Sequence, residues 1–171
     1  MRVRRLVAMA RTAVLTQYAL RARDVQRILQ LHAGPAELTD DMDYLVLVPV
    51  GGDESTVTEV INHLSLGDLR EAWEAVTGSD EGSDRAEAAQ ALRTSLDLFE
   101  QAGARASGAL TTADPVAQVR TAVAEHEVTE LIVVTEPQAV QDILGKDWAS
   151  QAERLLQIPV LHFYSGTDHV G

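Results

Sequence analysis

The sequence predicts an α/β protein with a doubly wound parallel sheet and helices on both faces of that sheet. First, short apolar runs rich in β-branched residues, such as YLVLVPV at 44–50 and LIVV at 131–134, are typical of strands buried on both faces. Second, the segments between these runs carry apolar residues at helical spacing. Third, glycine and proline separate the two kinds of segment. Such an alternation predicts βαβ units, whose right-handed crossovers produce a parallel sheet.

The N-terminal part of the chain predicts a strand, a helix and a second strand. Residues 6–9 are a short apolar run, which we interpret as the first strand. A helix is predicted from Thr12 to His32, where these apolar residues recur mainly at helical spacing: Val14, Leu15, Tyr18, Val25, Ile28, Leu29 and Leu31. Gly34 and Pro35 end that helix, and the run at 44–50 is the second strand.

The rest of the chain predicts three more helices and three more strands. A helix over 84–102 carries one apolar stripe and stops at Gly103, the usual position for a helix C-terminal glycine. The remaining elements, in chain order, are a strand at 104–110, a turn at Asp114 and Pro115, a helix through Val116, Val119 and Val123, a strand at 131–134, a helix at about 147–156 and a strand at 160–164. Five strands therefore alternate with four helices.

The chain is predicted to form one domain over residues 1–171. Its one long irregular connection, at about 51–83, is interpreted as an insertion with a short amphipathic helix around Trp73. We find no internal repeat and no low-complexity tract in the sequence.

Charge and composition exclude several classes of function. Fourteen Lys and Arg residues stand against 26 Asp and Glu residues, a formal net charge of −12, which disfavours nucleic acid and anionic membranes as partners. The chain has no cysteine, and its five histidines are not at metal-ligand spacing, so we predict no disulfide and no metal site. No nucleophile elbow is present, and we predict no catalytic residue. These features are typical of a cytoplasmic protein.

The order of these elements resembles the universal stress protein family over nearly the whole chain. The family's Gly-Asp-Pro after the third strand corresponds to Ala113-Asp114-Pro115, and its fourth strand to the LIVV run at 131–134. The Ala-Glu-Arg segment at 152–154 and the Pro-Val pair at 159–160 correspond to the family's last helix and last strand. The resemblance implies the strand order 3-2-1-4-5, and it is weakest over residues 51–83.

Nucleotide-binding members of that family carry a glycine motif after the fourth strand and an aspartate at the end of the first strand. By position, the first two glycines fall on Thr135 and Gln138, and the third on Trp148 or on Ala149, which is followed by Ser150. The aspartate falls on Ala10, next to Arg11. Phosphate cradles require glycine because backbone N–H groups must approach the anion closely. These seven residues therefore predict a vestigial crevice that binds no cofactor.

The resemblance also implies a homodimer. In the order 3-2-1-4-5 the last strand is an edge, and an apolar edge strand favours pairing. The predicted interface consists of Val160, Leu161, His162, Phe163 and Tyr164. We expect a proline at Leu161 to split such a dimer, because proline lacks a backbone donor. Alternatively, the insertion or the C-terminal residues cover this edge within one monomer.

Three functions remain open from the sequence. The first is a non-enzymatic stress or regulatory module that acts through dimerisation or a protein partner and binds no ATP. The second is a module that binds an adenine nucleotide or another small ligand in a remodelled crevice at the carboxyl ends of strands 1 and 4. The third is an unrelated α/β enzyme.

Overall fold

A computed structural model describes residues 11–33, 42–50, 81–111, 115–125, 128–136 and 148–166. The five strands, in chain order, are β1 Arg11–Thr16, β2 Asp43–Pro49, β3 Arg105–Thr111, β4 Val128–Thr135 and β5 Val160–Tyr164. The four helices in these residues are α1 Ala22–Leu31, α2 Glu81–Gln101, α3 Pro115–Glu125 and α4 Trp148–Leu156. All strand pairs are parallel, and the sheet order is β3-β2-β1-β4-β5. The predicted α/β class and the order 3-2-1-4-5 are confirmed.

The prediction of a helix starting at Thr12 is wrong, because residues 11–16 form the central strand β1. Every side chain from Thr12 to Thr16 is buried, so both faces of this strand are covered. The spacing of Val14 and Tyr18 suggested a helix, but the β-branched residues Thr12, Val14 and Thr16 favour a strand. The helix α1 starts only at Ala22. Residues 6–9 lie outside the described residues.

The other elements agree with the sequence prediction to within a few residues. β5 has the predicted bounds, and β2 and β3 are each displaced by one residue. The helix predicted over 84–102 is α2 at 81–101, and its end at Gly103 is confirmed by a positive φ of 78° there. The predicted insertion falls almost entirely outside the described residues.

Two apolar cores lie on opposite faces of the sheet. On the first face, Leu15, Leu47 and Val133 pack with Ala122 of α3 and with residues of α4. On the second face, Val14, Val46 and Ile132 pack with α1 and α2. Consecutive strand residues alternate between the two cores, as the pleat of a strand requires. Helices therefore cover both faces, and the polar side chains concentrate at the two ends of the strands.

Candidate functional site

The carboxyl edge of the sheet, where the strands end, is the usual ligand position in doubly wound folds. The chain passes from β1 to β2 on one side of β1, whereas β4 pairs with β1 on its other side. The switch point therefore lies between the carboxyl ends of β1 and β4. Thr16 ends β1 and Thr135 ends β4. Both threonines are buried, and the Thr16 hydroxyl donates to the carbonyl of Tyr18 at 2.9 Å. The first polar groups at the switch point are thus already bonded within the chain.

Thr135 forms a buried pair with His162 of β5. The Thr135 Oγ1 atom lies 2.7 Å from Nε2 of His162, and the two residues are 6% and 2% exposed. Burial lowers the pKa of His162 to about 4, because the apolar surroundings disfavour its charged form. The imidazole is therefore neutral at pH 7. Thr135, at the predicted position of the first family glycine, thus holds the end of β4 to β5 through its side chain.

Asp24 joins the start of α1 to the turn after β5. Its carboxylate is buried and accepts hydrogen bonds from the backbone N–H of Arg21 at 2.9 Å, the Ser165 hydroxyl at 2.8 Å and the backbone N–H of Gly166 at 2.8 Å. A carboxylate in the first turn of a helix also interacts favourably with the helix dipole. Asp24 therefore satisfies the backbone N–H of Arg21 at the start of α1 and ties this helix to the turn after β5.

An ion pair crosses between the segments that follow β1 and β4. Arg21 Nη2 and Glu136 Oε1 are 3.7 Å apart, and the two side chains are 62% and 41% exposed. Also at the carboxyl edge, between the ends of β1 and β2 and the start of α2, lies a cavity of about 120 Å³ whose lining includes Tyr18, Asp84 and Glu87. Carboxylates at this position disfavour a phosphate by Coulomb repulsion.

The structure does not bring the predicted crevice residues together as one group. Arg11 opens β1 at the opposite edge of the sheet from Thr135, because β1 starts where the sequence prediction ended it. The residue at the carboxyl end of β1 is Thr16, followed by Gln17, and neither is acidic. Trp148, Ala149 and Ser150 form the first turn of α4. Ala10 and Gln138 lie outside the described residues.

The side chains of β5 are covered mainly by the chain's own helices. Val160, His162 and Phe163 are buried, and Leu161 and Tyr164 are partly exposed. Arg27 of α1 lies over the Phe163 ring, with its guanidinium carbon 4.7 Å from the ring centroid. The apolar character of both faces of β5 thus reflects packing within one chain, and it needs no second subunit.

The register of β5 changes the meaning of a proline at Leu161. Leu131 N donates to Pro159 O at 3.0 Å, and Ser165 N donates to Thr135 O at 2.7 Å. Since alternate residues of a strand face the same neighbour, the N–H groups of residues 161 and 163 point toward β4. A proline at Leu161 would break the β4–β5 ladder and would test the fold, not a dimer.

A second polar group lies at the amino edge of the sheet, where the strands begin, and sequence reasoning missed it. Arg11 Nε donates to Asp43 Oδ2 at 2.8 Å, which links β1 to β2. Thr12 is in register with Tyr44 of β2 and with Glu130 of β4. The side chains of Tyr44, Thr12 and Glu130 therefore form a row across the three central strands β2, β1 and β4, close to where these strands begin.

His32 completes that row. It follows α1 as its C-cap residue, with Nε2 2.7 Å from Glu130 Oε2 and Nδ1 3.1 Å from the Tyr44 hydroxyl. We name Glu130, His32 and Tyr44 the amino-edge relay. Burial raises the pKa of Tyr44 to about 12, and the charge of Glu130 adds to this shift. In the sequence these polar residues stand at the ends of apolar elements, and this pattern was their only signal.

Other classes of site find no support in the part of the chain that is described. Its residues contain no group of three or more His, Asp or Glu side chains that could hold a metal ion. Among the helices described above, none is both long enough and apolar enough to cross a membrane.

Comparison with solved structures identifies the fold. Hypothetical protein MJ0577 matches with a TM-score of 0.59 and 13% identity, over 95% of this chain and 100% of that chain. The universal stress protein from Archaeoglobus fulgidus in complex with dAMP matches with a TM-score of 0.51 and 15% identity, over 90% and 98% of the two chains. Hypothetical protein PH0823 matches with a TM-score of 0.50 and 16% identity, over 94% and 99%.

The chain therefore has the universal stress protein fold, and the resemblance read from the sequence is confirmed at the level of fold. No protein-family model matches the chain, and no curated protein matches it.

Proposed function

We propose that this chain is a non-enzymatic module of the universal stress protein type that binds no ATP and has a stress or regulatory role. The observation that carries this proposal is the state of the carboxyl edge. Thr135, at the position of the family's first glycine, is buried and bonded to His162, and Arg21 is paired with Glu136 just beyond. A phosphate cradle needs exposed backbone N–H groups and positive potential at this position.

Calorimetric titration with ATP and Mg²⁺ tests this proposal. A ligand that binds only the folded state stabilises it by about 2.7 kcal/mol when its concentration is a hundred times the dissociation constant. We expect no saturable heat with millimolar ATP and no rise in melting temperature. Saturable binding of ATP in that range would overturn the proposal.

The same module is proposed to act as a homodimer through β5. This strand lies at the end of the sheet order, and an edge strand can pair with its own copy about a two-fold axis. At both ends of this strand, an outward-facing backbone group already forms a hydrogen bond with a side chain of the same chain. Glu153 Oε1 accepts from Val160 N at 3.1 Å, and Arg27 Nη1 donates to Tyr164 O at 3.5 Å. A β5 dimer would therefore form along the short section between these two contacts.

Two leucine-to-lysine variants test the dimer by light scattering. Leu161 is partly exposed on β5, and a lysine there places charge on the pairing edge. Leu31, 47% exposed at the end of α1, supplies the matched control. We expect a dimer for the parent and for Leu31→Lys, and a monomer for Leu161→Lys. A monomeric parent would exclude the dimer, and a dimeric Leu161→Lys would place the interface elsewhere.

A second candidate function is binding of an adenine nucleotide in a remodelled crevice. The solved structure from Archaeoglobus fulgidus holds dAMP, and this chain has the same fold. The same titration with AMP in place of ATP distinguishes the candidates, since a site that lacks a phosphate cradle but keeps a base pocket would bind AMP or adenosine. Saturable binding of AMP would favour this second function.

A further inference from the structure

A cavity of about 270 Å³ opens at the amino edge of the sheet, beside the amino-edge relay. It lies between the end of α1, the start of β2 and the connection from α2 to β3, and both His32 and Tyr44 line it. We name it the amino-edge cavity. We propose that it binds a small aromatic carboxylic acid with a ring hydroxyl, a ligand of the hydroxybenzoate class.

The size of the cavity suits one substituted ring. An apolar cavity of about 150 Å³ in another protein binds benzene, and drug-sized ligands occupy about 300–1,000 Å³. The amino-edge cavity, at about 270 Å³, lies between these limits. It therefore fits a benzene ring with two small substituents and is too small for a nucleotide.

Apolar side chains form part of the cavity lining, and one wall is fixed by backbone hydrogen bonds. Leu29 and Met42 line one side, and Ala102 and Ala104 line another. After α2, Gly103 N donates to Glu100 O at 2.9 Å and Ala104 N donates to Phe99 O at 3.0 Å. These two bonds form a Schellman motif, in which the glycine takes positive φ. The wall is thus preformed, which reduces the entropy lost when a ligand binds.

The relay supplies a hydrogen-bonding group at the inner end of the cavity. In the tautomer that donates its Nε2–H to Glu130, His32 accepts the proton of the Tyr44 hydroxyl at its Nδ1. The Tyr44 oxygen then keeps lone pairs for a donor on the ligand. The Tyr44 phenol is protonated at neutral pH, and burial raises its pKa further, to about 12. The relay therefore favours a ligand hydroxyl and disfavours a ligand anion, because the Glu130 carboxylate lies behind it.

Charge orients the ligand in the opposite direction at the other end. Arg105, an exposed residue at the start of β3, also lines the cavity. Its guanidinium is matched to a carboxylate. The C-terminal ends of α1 and α2 both lie at the cavity and their partial negative charge disfavours an anion, so the positive charge of Arg105 decides where a carboxylate is favoured. A carboxylate next to Arg105 and a hydroxyl next to Tyr44 satisfy both ends.

Titration of the ¹⁵N-labelled chain with 4-hydroxybenzoate, followed by NMR, tests the proposal. We expect saturable shifts at residues 102–105 with a Kd of about 1 mM or tighter. Benzoate lacks the hydroxyl and phenol lacks the carboxylate, so each should bind about fivefold more weakly. Absence of saturation, or shifts confined to the carboxyl edge, would overturn the proposal.

Two variants locate the ligand within the cavity. Ala104→Leu fills the cavity and should weaken 4-hydroxybenzoate by about tenfold or more. Arg105→Gln changes an exposed side chain, so it keeps the fold even if the filling variant does not. It should weaken 4-hydroxybenzoate about fivefold and leave phenol unchanged. If Arg105→Gln binds 4-hydroxybenzoate as tightly as the parent chain does, and also binds phenol as tightly, the proposed orientation is excluded.

Discussion

The two edges of the sheet differ in how their polar side chains are used. At the carboxyl edge, Thr135 bonds to His162, and Asp24 bonds to the turn after β5. The described cavity at this edge measures about 120 Å³. At the amino edge, the relay of Glu130, His32 and Tyr44 lies beside a cavity of about 270 Å³. Parallel α/β folds normally bind ligands at the carboxyl edge. In this chain the larger described cavity lies at the opposite edge.

In this molecule the strand order and the properties of the ligand position are set by different residues. The order β3-β2-β1-β4-β5 creates the switch point, but only the side chains placed there decide whether an anion fits. Here the chain's own carboxylate, Asp24, lies in the first turn of α1 and adds negative charge at this edge of the sheet. Four substitutions or changes of condition test this contrast between the two edges.

The largest effect is expected for Asp24→Ala at the carboxyl edge. The change leaves two backbone N–H groups and the Ser165 hydroxyl without their acceptor. Loss of a buried charged acceptor should lower the free energy of unfolding by about 3–5 kcal/mol. Urea denaturation measures this loss. Asp97→Ala, an exposed acid on α2, is the control and should cost less than about 0.5 kcal/mol. A loss below about 1 kcal/mol for Asp24→Ala would contradict the role of this carboxylate.

Acid should destabilise the carboxyl edge through His162. Its pKa is lowered to about 4 in the folded chain, against about 6.5 when unfolded, so the unfolded state binds the proton first as pH falls. The stabilisation is complete above about pH 6.5 and is lost as pH falls to about 4. This loss approaches about 3 kcal/mol. Unfolding free energies of the parent and of His162→Gln at several pH values isolate the contribution. Parallel pH profiles for the two chains would contradict the prediction.

Most of the fold could be predicted from the sequence, because continuous apolar runs specify buried strands directly. β5 and β2 were found in this way, whereas β1 was missed because Val14 and Tyr18 happen to stand at helical spacing. That one error also ended the first strand before Ala10, whereas β1 ends at Thr16, and it placed Arg11 at the wrong edge. A site residue inherits the error of the strand that carries it.

The amino-edge relay could not be predicted, because its members are far apart in the chain. Tyr44 and Glu130 become neighbours of Thr12 only through the strand register, and His32 reaches them only where α1 ends. The Thr135–His162 pair is similar, since it depends on the register between β4 and β5. Periodicity predicts elements, but it does not predict which residues of distant elements meet.

A smaller effect is expected for Tyr44→Phe at the amino edge. The hydroxyl is the partner of His32 Nδ1, and its loss should lower the free energy of unfolding by about 1–2 kcal/mol. The ring remains stacked on Phe99, with centroids 4.9 Å apart, so packing changes little. Tyr18→Phe, at a 40% exposed position, is the matched control and should cost less than about 0.5 kcal/mol. Equal losses in urea denaturation would mean that the relay adds no stability.

The smallest effect on stability is expected for Glu136→Gln, which removes the ion pair with Arg21. Both side chains are well exposed at 62% and 41%, so solvent screens the pair and its loss should cost less than about 0.5 kcal/mol. Glu100→Gln, at an exposed position on α2, controls for the change in net charge.

Glu136→Gln also separates two ways of closing the carboxyl edge. If the buried Thr135–His162 pair closes it, Glu136→Gln still binds no ATP, because this pair still holds the end of β4 to β5. If ATP binds to Glu136→Gln and not to Glu100→Gln, closure depends on charge alone, and the carboxyl edge would have to be regarded as a masked nucleotide site.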